Sequence, residues 1–129
     1  MNIYLLIAGL LSLITCAGHL TYGRKHFLLP MQQAAFDPAA KAVMHCVFHY
    51  VSVFLLLSSL VLLACGFAAI ARMQSFGMLI FIALNFGLFA IWQLYIGFMS
   101  EANVTFRRLF QWLFFAMVAA FTLAGATLV

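Results

Sequence analysis

Charged side chains are scarce in this sequence, which carries six basic and two acidic residues in a chain of 129. Soluble domains average about 25% charged residues, against 6% here. Hydrophobic residues make up 68% of the composition, and the mean hydropathy is +1.20. The scarcity of charge therefore predicts an integral membrane protein whose main partner is the lipid bilayer.

Acidic residues are scarcer than basic ones, since Asp37 and Glu101 are the only two. They provide no carboxylate pair for hydrolysis, and no Gly-rich phosphate loop is present. The basic residues lie at the ends of apolar runs, which is not the pattern of a nucleic-acid patch interleaved with aromatics. We predict no catalytic residue and no nucleic-acid partner, and the sequence favours a protein that is not an enzyme.

The sequence also lacks a Cys-rich segment. Its three cysteines, Cys16, Cys46 and Cys65, lie inside or at the edge of apolar runs. An odd number in this setting argues against a disulfide framework. Free thiols that pack as small hydrophobic groups are the default interpretation.

Four apolar runs are long enough to cross a bilayer. They predict an all-α protein, an antiparallel four-helix membrane bundle forming a single domain over residues 1–129. The predicted spans are residues 1–22, 42–71, 73–100 and 109–129, and a loop on the cytoplasmic side covers residues 23–41. Within that loop, Asp37 and Pro38 form a helix start signal for the second span.

The basic residues predict the orientation of the spans. The loops after spans one and three carry Arg24, Lys25, Lys41, Arg107 and Arg108. The loop after span two carries only Arg72. By the positive-inside rule, the first and third loops lie in the cytoplasm and both termini lie outside it.

Small and polar residues recur at helical spacing on two spans and predict helix-packing faces. On span two the stripe comprises His45, His49, Ser52, Leu56, Ser59, Leu63 and Gly66. On span four it comprises Ala116, Ala120 and Ala124. We expect Ser59, Gly66 and the three alanines to contact other helices.

All four histidines lie between the end of span one and the start of span two. Two Cys-x-x-His patterns, Cys16 to His19 and Cys46 to His49, each place both side chains on one helix face. Imidazole and thiolate suit Zn or Cu, and opposed imidazoles can ligate haem. The predicted metal or cofactor site consists of His19, His45 and His49, with Cys16, Cys46 and His26 as further candidates. Asp37 and Ser52 are candidates to orient its imidazoles.

The combination of His19-x-x-x-Gly23, Pro30 and Phe48-His49-x-x-Ser52 in a four-span chain resembles a loose group of small bacterial inner-membrane proteins without an assigned activity. The chain departs from that group at Phe48, where members often carry Trp, and after Gly23, where they often carry an acidic residue. The resemblance implies location in the bacterial inner membrane and a shared importance of His19 and His49, and it supplies no reaction.

Three functions stay open from the sequence. The first is binding of a metal ion or haem by the His cluster near the cytoplasmic leaflet. The second is a small integral scaffold or accessory subunit, with structural histidines, that joins a homo-oligomer or a larger membrane complex through its helix faces. The third is a quinone or lipid pocket near the aromatic residues. Separately, Asn85 and Gln93 on span three are expected to face the bundle interior.

Overall fold

The computed structural model of the chain describes residues 1–99 and 110–128. Every regular element within these residues is helical, which confirms the all-α class. The helices are α1 (Ile3–Gly18), a π-helical segment (His19–Leu28), α2 (Leu29–Gln33), α3 (Pro38–Gly66), α4 (Arg72–Met99) and α5 (Gln111–Thr127). The predicted turn at residues 101–108 lies outside the described residues.

Three helical runs are long and apolar enough to cross a membrane, by length and composition: Ile3–Gln33, Pro38–Gly66 and Arg72–Met99. The helix Gln111–Thr127 is also apolar but shorter. Its 17 residues extend roughly 25 Å at the rise of an α-helix. The apolar runs seen in the sequence are therefore helices.

The start of α3 follows the predicted signal. Asp37 is the N-cap, and its Oδ2 accepts a hydrogen bond from the backbone N–H of Ala40 at 3.1 Å. Pro38 occupies the first turn, where its missing N–H has no helical partner to lose. The helix ends at Gly66, and the chain then turns through Ala68, whose φ is 59°.

The predicted loop 23–41 differs from the structure, because the first helix continues to Gln33. Residues His19–Leu28 form wider π-type turns, which take in extra residues without ending the helix. Pro30 falls in the first turn of α2, where proline is tolerated. Neither Gly23 nor Pro30 therefore breaks the helix, and the irregular connection shrinks to the residues around Ala34–Asp37.

Close contact between α1 and α3 depends on two glycines. A Cβ at Gly9 would lie 2.8 Å from Leu63 Cδ2, and one at Gly66 would lie 2.7 Å from Leu6 Cδ2. Each glycine thus receives a leucine from the other helix, an arrangement that lets two backbones approach. Residue numbers rise along α1 while they fall along α3 through these contacts.

Two buried hydroxyls lie in the middle of the same contact. Ser12 and Ser59 have no exposed surface, and their Oγ atoms are 2.8 Å apart. The carbonyl oxygen of Leu55 is 2.7 Å from Ser59 Oγ and 3.4 Å from Ser12 Oγ. Each polar group therefore has a partner away from water. Ser59 and Gly66 thus both lie in the contact between α1 and α3, whereas Leu56 of the same stripe is exposed.

The alanines predicted to form the packing face of span four are not the residues that α5 buries against its neighbours. Ala120 is exposed and its neighbours Ala116 and Ala124 are partly exposed. The buried residues of α5 are instead Val118, Ala119, Thr122, Gly125 and Ala126. Alanine occurs on both faces of this helix, so spacing alone does not distinguish the face that α1 and α4 cover.

Asn2 joins three helices at the end of the bundle away from the histidines. Its backbone N–H donates to the carbonyl of Gly66 at 2.8 Å, and its Nδ2 donates to the carbonyl of Gly125 at 2.8 Å. Its Oδ1 accepts from the N–H groups of Tyr4 and Leu5, which makes Asn2 the N-cap of α1. The backbone and side chain of this one residue therefore hold the ends of α1, α3 and α5 together.

The helices are arranged in the order α3, α1, α5, α4, each in extensive contact with the next. Contact between α3 and α4 is sparse. It includes the ring of Phe54, which meets Phe86 and Phe89 at centroid distances of 5.7 and 5.4 Å. Beyond this aromatic contact, toward the histidines, the helices leave space between them.

Candidate functional site

A cavity of about 690 Å³ occupies that space. It is bounded by α1 and the π-helical segment, by α3, and by the facing parts of α4 and α5. Such a volume lies within the range of small-molecule sites. Aromatic side chains dominate its lining: Tyr22, Phe27, Phe48, Phe89, Trp92, Phe110, Phe114 and Phe115.

Two side-chain amides meet at the wall of the cavity. Gln93 of α4 and Gln111 of α5 both line it, and Gln93 Nε2 donates to Gln111 Oε1 at 3.0 Å. The residues belong to adjacent helices of the bundle. A polar pair in an otherwise apolar wall fixes one point at which a ligand can form a hydrogen bond.

Gln93 keeps one polar atom without a partner. Its Oε1 is buried and makes no hydrogen bond. If both amides turn over together, their mutual hydrogen bond is preserved and the unpartnered atom of Gln93 becomes its nitrogen. A buried polar atom that lacks a partner costs free energy, so this position favours a ligand that supplies one.

His19 contributes a flat surface at the opposite wall. Its Nε2 lies 2.9 Å from the carbonyl oxygen of Phe48, and because a carbonyl only accepts, Nε2 carries the proton. The imidazole also stacks on the Phe48 ring, with centroids 4.0 Å apart and planes inclined by 21°. Both residues line the cavity. His19 is thus held between α1 and α3 by one hydrogen bond and one ring contact.

No charged side chain is found among the described residues that line the cavity. Two lining residues carry hydroxyls, Thr15 and Tyr22, and that of Thr15 bonds to the carbonyl of Leu11 in its own helix at 2.7 Å. The cavity is therefore largely apolar and aromatic, with His19, Tyr22 and the Gln93–Gln111 pair among its polar positions. This chemistry suits an uncharged molecule with a largely apolar body.

The other histidines group differently from the prediction. His45 and His49, one turn apart on α3, have their Nε2 atoms 3.2 Å from each other. His19 lies beyond the Phe48 ring and bonds to Phe48 instead, so the described contacts do not join it to His49. His26 stacks on Tyr22 at 4.1 Å.

The remaining candidate ligands are also separated. Cys16 Sγ lies 3.9 Å from the carbonyl of Ser52, Cys46 is exposed, and Asp37 caps α3. The Ser52 hydroxyl donates to the Phe48 carbonyl at 3.0 Å and orients no imidazole. Within residues 1–99 and 110–128, no group of three or more His, Cys, Asp or Glu side chains is placed to hold a metal ion.

Helix periodicity explains why His45 and His49 leave the packed face. A stripe of alternating three- and four-residue steps repeats every 3.5 residues, whereas a straight helix has 3.6 per turn. The stripe consists of two rows with steps of seven residues. The row Gly66, Ser59 and Ser52 is buried, and it drifts by roughly 60° over the three heptads to His45, which is half-buried. The other row lies at the outer edge of the stripe, so Leu63 is half-buried while Leu56 and His49 are exposed.

The cavity combines residues that the sequence shows only separately. Gln93 was expected to face inward, but its partner Gln111 lies 18 positions further along the chain. Gln93 lies eight residues before Glu101, whereas Gln111 lies three residues after Arg108. Their spacing therefore gave no sign that the two amides meet.

Two sites therefore stand out in the described residues: the aromatic cavity with its amide pair, and the His45–His49 pair on the surface of α3. Each is defined by contacts within this chain. No family model, no curated protein and no solved structure matches this chain.

Proposed function

We propose that this chain is an integral membrane protein that binds a lipid-soluble quinone in its aromatic cavity. The observation that carries the proposal is a space of about 690 Å³ lined by aromatic rings, with the hydrogen-bonded Gln93–Gln111 amide pair in its wall. An aromatic cavity accommodates a flat ring, and Gln93, with its amide turned over so that an N–H is free, donates to the ring oxygen.

The membrane part of the proposal is an antiparallel four-helix bundle in a bacterial inner membrane. Three apolar runs long enough to span a bilayer support it, as does the fourth, shorter apolar helix. Large apolar side chains are exposed along the helices, including Val53, Leu60 and Leu88 at 57%, 54% and 51%. In water such surfaces would aggregate, whereas in a bilayer they face lipid tails.

The lining of the cavity favours a quinone over a phospholipid. A phospholipid head carries a phosphate, which calls for a basic partner, and no charged residue is present among the described lining residues. A quinone head is uncharged, planar and bears only oxygen atoms as hydrogen-bonding groups. Its isoprenoid tail matches the remaining apolar walls.

The paired amides suit both redox forms of such a ring. A quinone oxygen accepts hydrogen bonds, whereas a quinol hydroxyl also donates one. Since Gln93 and Gln111 can reverse together and keep their 3.0 Å bond, Gln93 can offer either its N–H or its oxygen. We therefore expect the oxidised and the reduced ring to bind with similar affinity.

The orientation of the bundle gives the first testable prediction. A reporter that is active only outside the cytoplasm should be active when fused after Val129, because Arg107 and Arg108 hold the preceding loop inside. The same reporter fused between Asp37 and Pro38 should be inactive. Activity of a cytoplasmic reporter at the C-terminal position would contradict this orientation.

Quinone binding can be followed by the fluorescence of Trp92, which lines the cavity. The chain has two tryptophans, so Trp112→Phe leaves Trp92 as the single tryptophan, whose fluorescence can be excited selectively. Titration of this variant in lipid nanodiscs with a short-chain quinone should give saturable quenching, because a bound ring lies next to the indole. The Trp92→Phe variant, which reports through Trp112, should show only the linear quenching caused by quinone dissolved in the lipid.

Substitutions of two side-chain amides of α4, Gln93 and Asn85, distinguish the loss of a contact to the quinone from a general effect on the protein. Gln93→Leu should weaken quinone binding by about tenfold, the value of one hydrogen bond of roughly 1.4 kcal/mol. Asn85→Leu is the matched control, because Asn85 bonds within its own helix to Phe81 and does not line the cavity. Equal affinities of the two variants, or purely linear quenching of Trp92, would count against the proposal.

Two other hypotheses remain predictions from the sequence. The exposed Ala120, with Ala116 and Ala124, leaves a small-residue face on α5 that suits a partner helix of a scaffold. Haem ligation by opposed imidazoles would require His19 to release the Phe48 carbonyl. Neither offers a preformed site comparable to the cavity.

A further inference from the structure

His45 and His49 lie outside the cavity, on a part of α3 where His49 is exposed and His45 contacts Gln32 of α2. They are spaced by four residues, so their side chains project from successive turns of the same face. Their ring centroids are 5.0 Å apart, and their Nε2 atoms are 3.2 Å apart. His49 is exposed and His45 half-buried, so both nitrogens can be reached from outside the bundle.

We infer that His45 and His49 form a binding site for a divalent transition-metal ion of the Zn²⁺ and Cu²⁺ class. Imidazole nitrogens bind these ions at about 2.0–2.1 Å. Two nitrogens 3.2 Å apart then subtend roughly 100° at the ion, close to the angle of tetrahedral and square-planar geometries. The separation therefore fits a chelated ion without movement of the helix backbone.

Gln32 orients the imidazole of His45. Gln32 Nε2 lies 3.2 Å from His45 Nδ1, the ring nitrogen that does not face His49. Metal-bound histidines usually have their second nitrogen held in this way by a neighbouring group. When the ion binds through Nε2, His45 Nδ1 carries the proton, and Gln32 accepts it after its amide turns over.

Gln32 itself is held in place by the chain that follows it. Lys41 Nζ donates to the carbonyl oxygen of Gln32 at 2.9 Å and so ties the end of α2 to the first turns of α3. The amide that contacts His45 therefore belongs to a fixed connection between two helices. This arrangement preorganises one of the two ligands before the ion arrives.

The site is open, because only two side chains of the described residues reach the ion. Water completes the coordination, which makes the ion exchangeable, unlike the enclosed ion of a four-ligand structural zinc site. Cys46 follows His45 directly and so points about 100° around the helix from it, which leaves the thiol outside the site. The order of affinity follows the general order for nitrogen ligands, with Cu²⁺ binding more tightly than Zn²⁺.

This inference does not rest on the proposed quinone site. Phe48 separates the two, since one ring contact joins it to His19 at the cavity and another joins it to His49 at a centroid distance of 5.4 Å. Each site can be tested with the other left intact.

The experiment uses the full chain without a polyhistidine tag, purified in detergent and titrated with Zn²⁺ by calorimetry and with Cu²⁺ by electron paramagnetic resonance. We expect one ion per chain and a Cu²⁺ spectrum with hyperfine structure from two nitrogens. His45→Gln and His49→Gln should each weaken Zn²⁺ binding by at least about 100-fold, because either removes the chelate. His26→Gln and Cys46→Ser should leave the affinity within about twofold.

A variant that moves one histidine by one position tests whether Zn²⁺ binding requires chelation by His45 and His49 or only the same number of histidines. His49→Tyr combined with Tyr50→His keeps four histidines in the chain but moves one of them off the face of His45. Both positions are exposed, so the variant should keep the melting temperature of the wild type while losing Zn²⁺ binding. Retained affinity in this variant, or in both single His→Gln variants, would overturn the inference.

Discussion

Gly18→Phe is expected to abolish saturable quinone binding while leaving the bundle folded. Gly18 lies in the cavity wall between Ile14 and Tyr22, four residues from each on the same helix face. A Cβ added at Gly18 would meet no atom within 4 Å, so a side chain there enters open space. A phenylalanine ring would occupy the volume that the quinone needs, and the dissociation constant should rise by at least about 100-fold.

Gly77→Phe is the control for this substitution. Gly77 is also a helical glycine whose added Cβ would meet no atom within 4 Å, but it does not line the cavity. Both variants exchange glycine for the same ring, so any general effect on insertion or helix propensity is shared. Quenching of Trp92 should be linear in Gly18→Phe and saturable in Gly77→Phe. If both variants bind alike, the ligand does not occupy the cavity.

Ser59→Leu is expected to cause a large loss of stability. Ser59 has no exposed surface, and its hydroxyl lies between Ser12 and the carbonyl of Leu55. A leucine at this position forces α1 and α3 apart and leaves the Ser12 hydroxyl without its closest partner. Overpacking and the lost partner together cost about 4 kcal/mol.

The size of this effect is judged against Ser59→Ala, which removes the hydroxyl without adding volume. Hydrogen bonds between membrane helices average only about 0.6 kcal/mol, so this variant should be nearly as stable as the wild type. Thermal unfolding in detergent, followed by the accessibility of the buried Cys16 and Cys65 thiols, measures both. Similar melting temperatures for the leucine and alanine variants would mean that the α1–α3 contact has room for the larger side chain.

Much of the fold could be predicted, because long apolar runs and cap residues determine where helices begin and end through contacts between residues close in sequence. Asp37 and Pro38 marked the start of α3, and the extent of α4 matched its charge-free run to within a residue at Arg72. The first connection, predicted over residues 23–41, is shorter in the structure, because the helical run continues through Gly23 and Pro30 to Gln33. In the structure Pro30 lies in a first turn, and the π-helical segment continues through Gly23.

The sites were harder to predict, because they depend on how the helices rotate about their axes. His49 lies in the same outer row of its stripe as the exposed Leu56, and Phe48, one position earlier, stacks on His19 instead. On α5, alanines on opposite faces left no periodic signal to choose between Ala119 and Ala120. The cavity involves four helical runs at once, so no single stretch of sequence reveals it.

The contacts of Asn2 set the order in which the molecule can assemble. Its bond to Gly125 joins residues 123 positions apart, so it cannot form until the ribosome has made nearly the whole described chain. The first helix is made early, yet the carbonyl that Asn2 Nδ2 binds belongs to the last described helix. Closure of that end is therefore a late event, dominated by the long-range search that slows folding. During synthesis α1 can already pair with α3, while the surface of α1 that α5 later covers stays open until the last described helix is made.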